Sequence, residues 1–495
     1  MISRRTLLAG SAALAAQSAT RFGAAFAEAR FATKLPIPEL IDAGARNHAI
    51  SLTAQVGKHE FWPGRPATAL GYSANYLGPT LRLRRGEEIQ FDIGNKIGEP
   101  TTVHWHGMII PGAVDGGPHN AIAPGGRWRP TLKVDQPAAT VWYHAHPHGA
   151  TAVQVYWGLA GLIVIDDGSD ARLGLPSSYG VDDLPLVLQD RAFNEDGSLA
   201  YDRSPMAAMM GMIGDTIIVN GVVAPVARVP KGLVRLRMLN GSNARFLRLA
   251  FADGGAFFVI ASDSGLLAAP VERRDLIVSP GERYEILVDF ADGKSRVLES
   301  LPHDVGANSG MPGMMRMMRT SPDQPEQIAR FEPDPALAAN AREIPKALGG
   351  VAAPAPSSAT VRRRLTLEPT MGGMGMMGMM GGGRRGSRMG ISGKSFAMDR
   401  IDFEAKLGSV EIWEVQSQMM AHPFHVHGTA FRILSIDGAP PPAHLAGPKD
   451  MALIENKVEL LVPFNALATK DNPYMFHCHI LEHEDAGMMG QFAVT

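Results

Sequence analysis

The sequence LRLRRGEEIQFDI, residues 81–93, alternates apolar and polar side chains on both sides of a glycine. Its apolar strand positions are Leu81, Leu83, Ile89, Phe91 and Ile93. A period of two is typical of a half-buried β-strand, because successive side chains in a strand point to opposite faces. The stretch therefore predicts two strands joined by a glycine turn.

The same alternation recurs along the chain. It is found at Leu184, Leu186 and Leu188, at Val234, Leu236 and Met238, and at Ile286, Val288 and Phe290. The chain also contains 54 glycines and 36 prolines, which favour frequent turns between short strands. We therefore predict an all-β protein built from β-sandwiches.

A weak internal repeat indicates how many sandwiches there are. A glycine comes just before a strand in the segments 85–89, 231–234 and 407–410. A second shared segment, Pro-Gly followed by Gly or Glu, occurs at 124–126 and 280–282. Repeats of this kind predict copies of one structural unit. Three copies of one sandwich are the simplest interpretation.

Composition changes place the domain boundaries. We predict domains at residues 28–167, 168–335 and 336–495. A Pro/Ala-rich linker, residues 336–360, begins the third domain, and a Gly/Met/Arg-rich insert, residues 371–389, lies within it.

Composition also excludes several classes of protein. The chain has 495 residues, of which 19% are charged, and its formal net charge is only -2. A charge so close to neutral does not favour nucleic-acid binding. The single cysteine can form no disulfide within the chain.

The N-terminus resembles an export signal. Arg4 and Arg5 precede a short Ala/Leu-rich stretch, and Ala25-Phe26-Ala27 provides a small-residue cleavage site. We predict a twin-arginine signal peptide over residues 1–27, which would export the folded protein to the periplasm. No later apolar run is long enough to span a bilayer, so we expect no stable membrane insertion.

Histidines are concentrated in His-x-His pairs. Sixteen histidines in random order would give about half of one such pair. The chain has five pairs: His104/His106, His144/His146, His146/His148, His425/His427 and His477/His479. Side chains two residues apart in a strand share a face, so each pair presents two imidazoles to one site. Imidazole suits copper, zinc, iron and nickel.

The last cluster indicates which metal is bound. In a strand, the Cys478 sulfur faces away from its neighbours His477 and His479, so one segment can serve two sites. His422, Cys478 and His483 with a distant Met488 form the ligand set of a blue-copper electron-transfer site. A catalytic nucleophile at Cys478 is the alternative, but it requires one activating histidine rather than several histidines and a methionine.

These histidine blocks and the Cys478 segment resemble the multicopper oxidases, from about Asn47 to the C-terminus. The resemblance implies three cupredoxin-like Greek-key β-sandwich domains and four copper ions. It implies a type 1 copper on His422, Cys478, His483 and Met488. It also implies a type 2 copper on His104 and His425, and a type 3 pair on His106, His144, His146, His427, His477 and His479.

The family's reaction implies further roles. Electrons from a donor pass through Cys478 to the histidine cluster, where O₂ is reduced to water. Asp115 and Glu484 match the family's proton-relay positions; the alternatives are a turn-capping aspartate and a solvated glutamate. The oxygen site draws four histidines each from the first and third domains. The middle domain lacks histidines at equivalent positions, and we expect it to act as a spacer.

The electron donor is less closely defined by the sequence. The 26 methionines concentrate in Met206–Met212, Met311–Met318 and Met371–Met389, and thioethers select Cu(I). These segments resemble those of copper-tolerance oxidases that oxidise Cu(I) to Cu(II). Gln418 stands where such relatives carry an acidic residue, and the insert is cationic. A laccase-like oxidase of small aromatic donors and a copper-free periplasmic scaffold are the alternatives, and we expect a monomer.

Overall fold

The structure is a computed structural model in which five stretches of the chain are described. They are residues 31–305, 322–341, 343–369, 389–417 and 420–495. The predicted signal peptide, the methionines at 311–318, positions 371–388 of the Met-rich insert and Gln418 lie outside the described residues. Within the described residues, no helix is both long and apolar enough to cross a membrane.

The first unit is a pair of sheets facing each other. One sheet has the order β1-β4-β9-β8, and the other has the order β3-β2-β5-β6 with β7 also paired to β5. The strands are β1 (Leu40–Asp42), β2 (Ala49–Trp62), β3 (Arg65–Tyr72), β4 (Thr80–Arg84), β5 (Glu88–Asn95), β6 (Arg127–Trp128), β7 (Thr131–Lys133), β8 (Ala139–His144) and β9 (Ala160–Asp166). One helix, α1 (Thr151–Trp157), lies between β8 and β9.

The second unit repeats this plan with longer sheets. Its first sheet runs β13-β12-β10-β15-β20-β17-β18 with β11 paired to β10, and its second runs β14-β22-β21-β16-β19. The elements are α2 (Ser169–Leu173), β10 (Asp183–Phe193), β11 (Leu199–Ala200), α3 (Pro205–Met210), β12 (Thr216–Val219), β13 (Val222–Val223), β14 (Val226–Val229), β15 (Leu233–Asn240), β16 (Leu247–Phe251), β17 (Phe257–Ser262), β18 (Gly265–Arg273), β19 (Asp275–Val278), β20 (Arg283–Asp289), β21 (Arg296–Ser300) and β22 (Glu326–Pro333).

The third unit has two five-stranded sheets, β24-β23-β26-β30-β28 and β25-β32-β31-β27-β29. Its elements are β23 (Val361–Pro369), β24 (Met389–Ile391), β25 (Phe403–Ala405), β26 (Val410–Ser417), β27 (His422–Val426), β28 (Arg432–Ile436), β29 (Met451–Ile454), β30 (Lys457–Pro463), β31 (Tyr474–Cys478), α4 (Leu481–Asp485) and β32 (Met489–Val494). Short 3-10 turns occupy Gly44–Arg46, Gly112–Val114, Pro118–Asn120, Pro356–Ser358 and Ala443–Leu445.

The glycine repeat has a structural cause. Gly86, Gly232 and Gly408 all have positive φ angles, of 92°, 145° and 77°, which side chains other than glycine rarely adopt. The strands that follow them, β5, β15 and β26, each pair in parallel with the first long strand of their own unit. The shared glycine therefore marks the same turn in all three sandwiches, and the all-β prediction is confirmed.

The chain segments outside the sheets pack on the middle unit. Lys34 forms a bridge with Val226, and Leu35 is buried in the core of that unit. Within the linker, Leu348 is buried in the same core, and its amide donates to the carbonyl of Ala268. Through these contacts, the linker and the segment before the first strand pack against the middle sandwich.

Candidate metal centres

Eight histidines meet where the first and third units face each other. His104 and His144 form a bridge in the first unit, and His425 lies opposite His477 in the third. All eight side chains are buried: His104, His106, His144, His146, His425, His427, His477 and His479. Two pairs of rings stack across the interface, His104 on His427 at 3.9 Å and His106 on His425 at 3.6 Å between centroids.

The histidines form groups that could hold metal ions. Their ligand atoms lie within 4.8 Å of one another in three groups: His104, His425 and His427; His104, His106 and His144; and His146, His427 and His477. The ring of His479 lies 5.1 Å from that of His106 and 5.6 Å from that of His144. The structure thus brings together all eight histidines that the resemblance assigns to the type 2 and type 3 ions.

Hydrogen bonds orient these rings toward the centre of the cluster. His104 donates its Nδ1–H to the carbonyl of Asp115 at 3.0 Å, and His425 donates to the carbonyl of Asp450 at 2.9 Å. His144 donates in the same way to the carbonyl of Ala145 at 2.9 Å. A donating Nδ1 leaves the Nε2 lone pair free, which is how second-shell contacts orient metal ligands.

The unpartnered nitrogens show that the cluster suits a metal. The Nε2 atoms of His104 and His425, and both nitrogens of His479, are buried without a hydrogen-bond partner among the described residues. An unpaired polar atom in a protein interior is costly, and a bound cation removes that cost.

The protonation states also fit. Burial lowers the pKa of His144, His146 and His479 well below the ordinary value, and neighbouring histidines lower it further. The pKa of His477 falls to about 3, mainly through burial. The rings are therefore neutral at pH 7 and can donate lone pairs to copper.

A second site lies inside the third sandwich. The Cys478 Sγ is 3.3 Å from the Nδ1 of His422 and 3.7 Å from the Nδ1 of His483. The two Nδ1 atoms are 3.3 Å apart, and the three donors form a buried group. Because the described site offers one sulfur and two imidazole nitrogens, it matches a trigonal His₂Cys copper site.

Met488 is held beside this trigonal set by its backbone. Its amide donates to the carbonyl of His483 at 2.8 Å, and its carbonyl accepts from the amide of Cys478 at 3.1 Å. The Met488 side chain is fully buried in the same core as Cys478. Met488 therefore lies with the other three residues that the resemblance assigns to the type 1 ion.

Cys478 connects the two sites. It ends β31, and its side chain lies in the core of the sandwich, whereas His477 joins the histidine cluster on the other face of the strand. Burial raises the pKa of the Cys478 thiol well above its ordinary value. A thiol in this position is protonated without a cation, so copper binding releases its proton.

Asp115 reaches the cluster from the first unit. Its Oδ2 accepts from the Nδ1 of His427 at 2.7 Å and lies 3.4 Å from the Nδ1 of His104. Its Oδ1 is buried and has no hydrogen-bond partner in the described parts of the chain. The Asp115 carboxylate thus orients His427, whereas His104 is held by the backbone carbonyl of the same residue.

Glu484 approaches the cluster from the opposite side. Its Oε1 lies 3.2 Å from the Nδ1 of His146, and its Oε2 lies 3.2 Å from the Nδ1 of His477. Burial and the neighbouring Asp485 raise the pKa of Glu484 well above its ordinary value. Burial also raises the pKa of Asp485, to about 7. The buried Glu484 is therefore suited to carry a proton.

Sequence reasoning missed Asp450 and Arg283. The Asp450 Oδ1 accepts from the Nε2 of His106 at 3.1 Å and from the Arg283 Nη1 at 2.7 Å. Ser264 donates to the other oxygen at 3.0 Å, and both charged side chains are fully buried. No sequence motif marks these residues, because Arg283 belongs to the middle unit and contacts the site only through the fold.

The middle unit also holds the Cys478 site. The Nε2 of His483 donates to the carbonyl of Met209, at the end of α3, at 2.8 Å. The adjacent Glu482 accepts from Asn243 at 2.7 Å and from Tyr201 at 2.9 Å. The expectation that this unit acts only as a spacer is therefore wrong, since it supplies contacts to both sites.

Comparisons with known proteins agree with this arrangement. Multicopper oxidase family models match residues 53–170 and 368–495. The multicopper oxidase mco of Staphylococcus aureus is 36% identical over 472 residues, covering 93% of this chain and 92% of that protein. The cell division protein FtsP of Yersinia pestis is 33% identical and covers 93% of this chain and 92% of that protein.

Solved structures give the same result. The laccase-like multicopper oxidase CueO from Ochrobactrum sp. is 44% identical, with a TM-score of 0.84 over 93% of this chain and 100% of that chain. A metallo-oxidase from Campylobacter jejuni is 26% identical, with a TM-score of 0.78 over 94% of this chain and 98% of that chain. These matches confirm the cupredoxin-like fold, and by sequence, fold and site the chain belongs to the multicopper oxidase family.

Proposed function

We propose that this protein couples the one-electron oxidation of Cu(I) to Cu(II), in copper tolerance, to the four-electron reduction of O₂ to water. Copper bound at the two sites would supply the redox chemistry. The observation that carries the proposal is the position of Cys478. It belongs to the sulfur site, and its chain neighbours His477 and His479 belong to the histidine cluster. One continuous piece of backbone thus joins the donor side to the oxygen side.

The proposal includes four copper ions. His422, Cys478, His483 and Met488 would hold the type 1 ion, and His104 and His425 the type 2 ion. The type 3 pair would be held by His106, His144, His146, His427, His477 and His479. Asp115 and Glu484 would supply protons to the oxygen site, because each carboxylate lies within 3.4 Å of two cluster histidines.

Contacts around the sulfur site favour a small donor. The outer nitrogen of His483 is already bonded to the carbonyl of Met209. A phenolic hydroxyl therefore cannot form a hydrogen bond to that nitrogen without moving α3. Next to His422, the half-buried Met420 packs against the core that contains Cys478. Its thioether offers a soft contact for Cu(I) near the ligand.

A laccase-like activity on phenolic or aromatic donors is the second candidate. The 44% identical CueO from Ochrobactrum sp. is described as having oxidase activity towards lignin model compounds and lignosulfonate. The Met-rich insert, residues 371–389, contains three arginines and no acidic residue, which weakens its attraction for a copper cation. These two facts favour an aromatic donor.

A copper-free scaffold role is less well supported. The FtsP relatives are described as cell division proteins. A protein with only a scaffold role has no need for ten buried histidines and a buried cysteine arranged in donor groups. In addition, we propose that the protein acts in the periplasm after twin-arginine export, on the basis of Arg4, Arg5 and the cleavage site at Ala25-Phe26-Ala27.

Oxygen uptake distinguishes these functions. The copper-loaded protein is supplied with Cu(I) or with a phenol, each with and without added Cu(II). We expect fast uptake with Cu(I), and phenol oxidation only when extra copper is present. A Cys478→Ser variant, which keeps the histidine cluster, serves as the control and should lose uptake with every donor.

The other outcomes are equally clear. Rapid phenol oxidation without added copper would establish the laccase alternative. A protein that retains no copper after loading, measured by elemental analysis, would contradict both oxidase proposals and favour the scaffold.

A further inference from the structure

A cavity of about 320 Å³ opens at the edge of the third sandwich, and none of the proposed metal ligands lines it. It lies where the β24 turn faces β25 and β32, between the two sheets. Its volume is at the lower end of the range for small-molecule sites. The metal centres make no use of it, so its lining requires a separate explanation.

Cationic groups with free donors surround the entrance. Arg363 bonds Glu411 through Nε and Nη2, and Arg400 bonds Asp402 through Nε. Arg400 also bonds a backbone carbonyl through Nη2. Neither Nη1 has a hydrogen-bond partner among the described residues. Lys394 is exposed, and no acidic group pairs with it in the described chain.

The charged groups at the cavity therefore favour the binding of a ligand with one negative charge. Five cations line the cavity, and four of them are balanced: Arg362 by Glu459, Arg363 by Glu411, Arg364 by Glu414 and Arg400 by Asp402. The exposed Lys394 leaves a net excess of one positive charge. Two guanidinium groups and an ammonium can together bind the oxygens of a carboxylate or sulfonate. The same excess charge repels Cu(I), so this cavity does not suit a metal donor.

Part of the cavity lining is apolar. Leu365, Ile391 and Met489 line it together with the rings of Phe403 and Phe476. These two rings lie 5.4 Å apart between centroids. The two rings pack on each other at this distance, and the Arg363 guanidinium lies over the Phe403 ring at 4.0 Å. The apolar body of a ligand would therefore lie against Leu365, Ile391 and Met489.

The cavity also lies close to the sulfur site. Phe476 and Cys478 lie on the same face of β31 and belong to the same core. Two residues along a strand span about 7 Å. A molecule in the cavity is thus separated from Cys478 by the side chain of Phe476.

We propose that this cavity is a binding site for a small aromatic monoanion, an arene carboxylate or sulfonate. Its charged group lies between Lys394, Arg363 and Arg400, and its ring lies against the apolar part of the lining. The proposal does not depend on which donor the oxidase uses, and it predicts binding with or without copper in the metal centres.

Calorimetric titration with benzenesulfonate tests the site without turnover, because this compound has no oxidisable phenol. We expect saturable binding to the full chain, with much weaker binding of benzyl alcohol, which lacks the charge, and of methanesulfonate, which lacks the ring. Lys394→Glu should raise the Kd for benzenesulfonate about tenfold, since it replaces an attraction with a repulsion. Lys346→Glu makes the same charge change at an exposed position in the linker and should leave the Kd unchanged.

A crystal soaked in 4-bromobenzenesulfonate locates the ligand independently through the anomalous scattering of bromine. Bromine between Ile391 and Phe403 would support the proposal. Equal weakening by the two lysine variants, equal affinity for methanesulfonate, or bromine found only elsewhere would overturn it.

Discussion

At the scale of single residues, the proposed proton-relay role of Asp115 can be tested through its carboxylate. Its Oδ2 accepts from His427 and lies 3.4 Å from the Nδ1 of His104, and its Oδ1 has no hydrogen-bond partner among the described residues. Asp115→Asn keeps the size of the side chain but cannot carry the proton. We expect the rate of O₂ reduction to fall about 100-fold or more, because general acid catalysis typically contributes about 10²- to 10⁴-fold.

The measurement for Asp115→Asn is oxygen uptake, with copper content and visible absorption recorded on the same sample. Copper content should be unchanged, since the side chain is not one of the proposed ligands. Asp92→Asn is a matched control, because Asp92 lies on the surface of the same unit and pairs with Arg127. An unchanged rate in Asp115→Asn would contradict its role as a proton carrier.

Arg283 is expected to contribute to stability through its geometry as well as its charge. Arg283→Lys keeps the positive charge but loses the planar group that contacts both oxygens of the buried Asp450. We expect the free energy of unfolding to fall by about 2 kcal/mol, since a buried partner is left incompletely bonded. Chemical denaturation measures this change.

Arg248→Lys provides the comparison for Arg283→Lys. Arg248 likewise bonds an aspartate, Asp275, but here both side chains are partly exposed. Exposed ion pairs contribute at most about 1 kcal/mol, so this variant should have a small effect. Equal losses in the two variants would show that the buried contact with Asp450 has no special importance.

At the scale of elements, the helix α3 determines which surface of the sulfur site is accessible. Its last turn places the Met209 carbonyl on the outer nitrogen of His483. Replacing residues 205–210 with six glycines and serines should loosen this contact. We expect phenol oxidation to rise severalfold relative to Cu(I) oxidation, because an aromatic hydroxyl could then reach His483.

The ratio of the two oxidation rates is the measurement for the α3 variant, and the visible absorption of the copper-loaded protein shows whether the sulfur site is intact. Replacing residues 169–173, the short helix α2, with glycine and serine tests whether any loosened helix has this effect. A fall in both rates together would contradict the role of α3 in selecting the donor.

At the scale of the whole molecule, features that depend on neighbouring residues could be predicted from the sequence, whereas contacts between distant residues could not. Alternation at Leu81, Leu83 and their equivalents predicted strands correctly, because the period of two is a property of neighbouring residues. Four of the five histidine pairs predicted the cluster for the same reason, whereas His148 is exposed and packs against Phe396 outside it. Arg283 and Asp450 were missed, since they are separated by 167 positions and meet only after the sandwiches pack. The domain boundaries and individual ligand roles remain predictions.

The buried histidines of the two sites, His477 in the cluster and His483 in the sulfur site, should make the copper-free protein sensitive to acid. In the folded chain the pKa of His477 is about 3 and that of His483 about 4, whereas both are near 6.5 when unfolded. Below pH 6.5 the unfolded chain takes up protons on these histidines that the folded chain does not. The free energy of unfolding therefore decreases as the pH is lowered. Each of these histidines should lower the free energy of unfolding by about 2 kcal/mol as the pH falls from 6.5 to 5.

Thermal unfolding of the copper-depleted protein between pH 7.5 and pH 5 measures this effect. We expect Tm to fall steadily below pH 6.5, because the buried histidines with lowered pKa values outnumber Glu484 and Asp485, whose raised pKa values act in the opposite direction. His483→Gln removes one of the two groups and should make the fall shallower, whereas replacement of the exposed, solvated His48 by glutamine should not. A copper-free Tm that stays level down to pH 5 would show that the buried imidazoles accept protons in the folded state, and therefore that the two sites open to water without their metal.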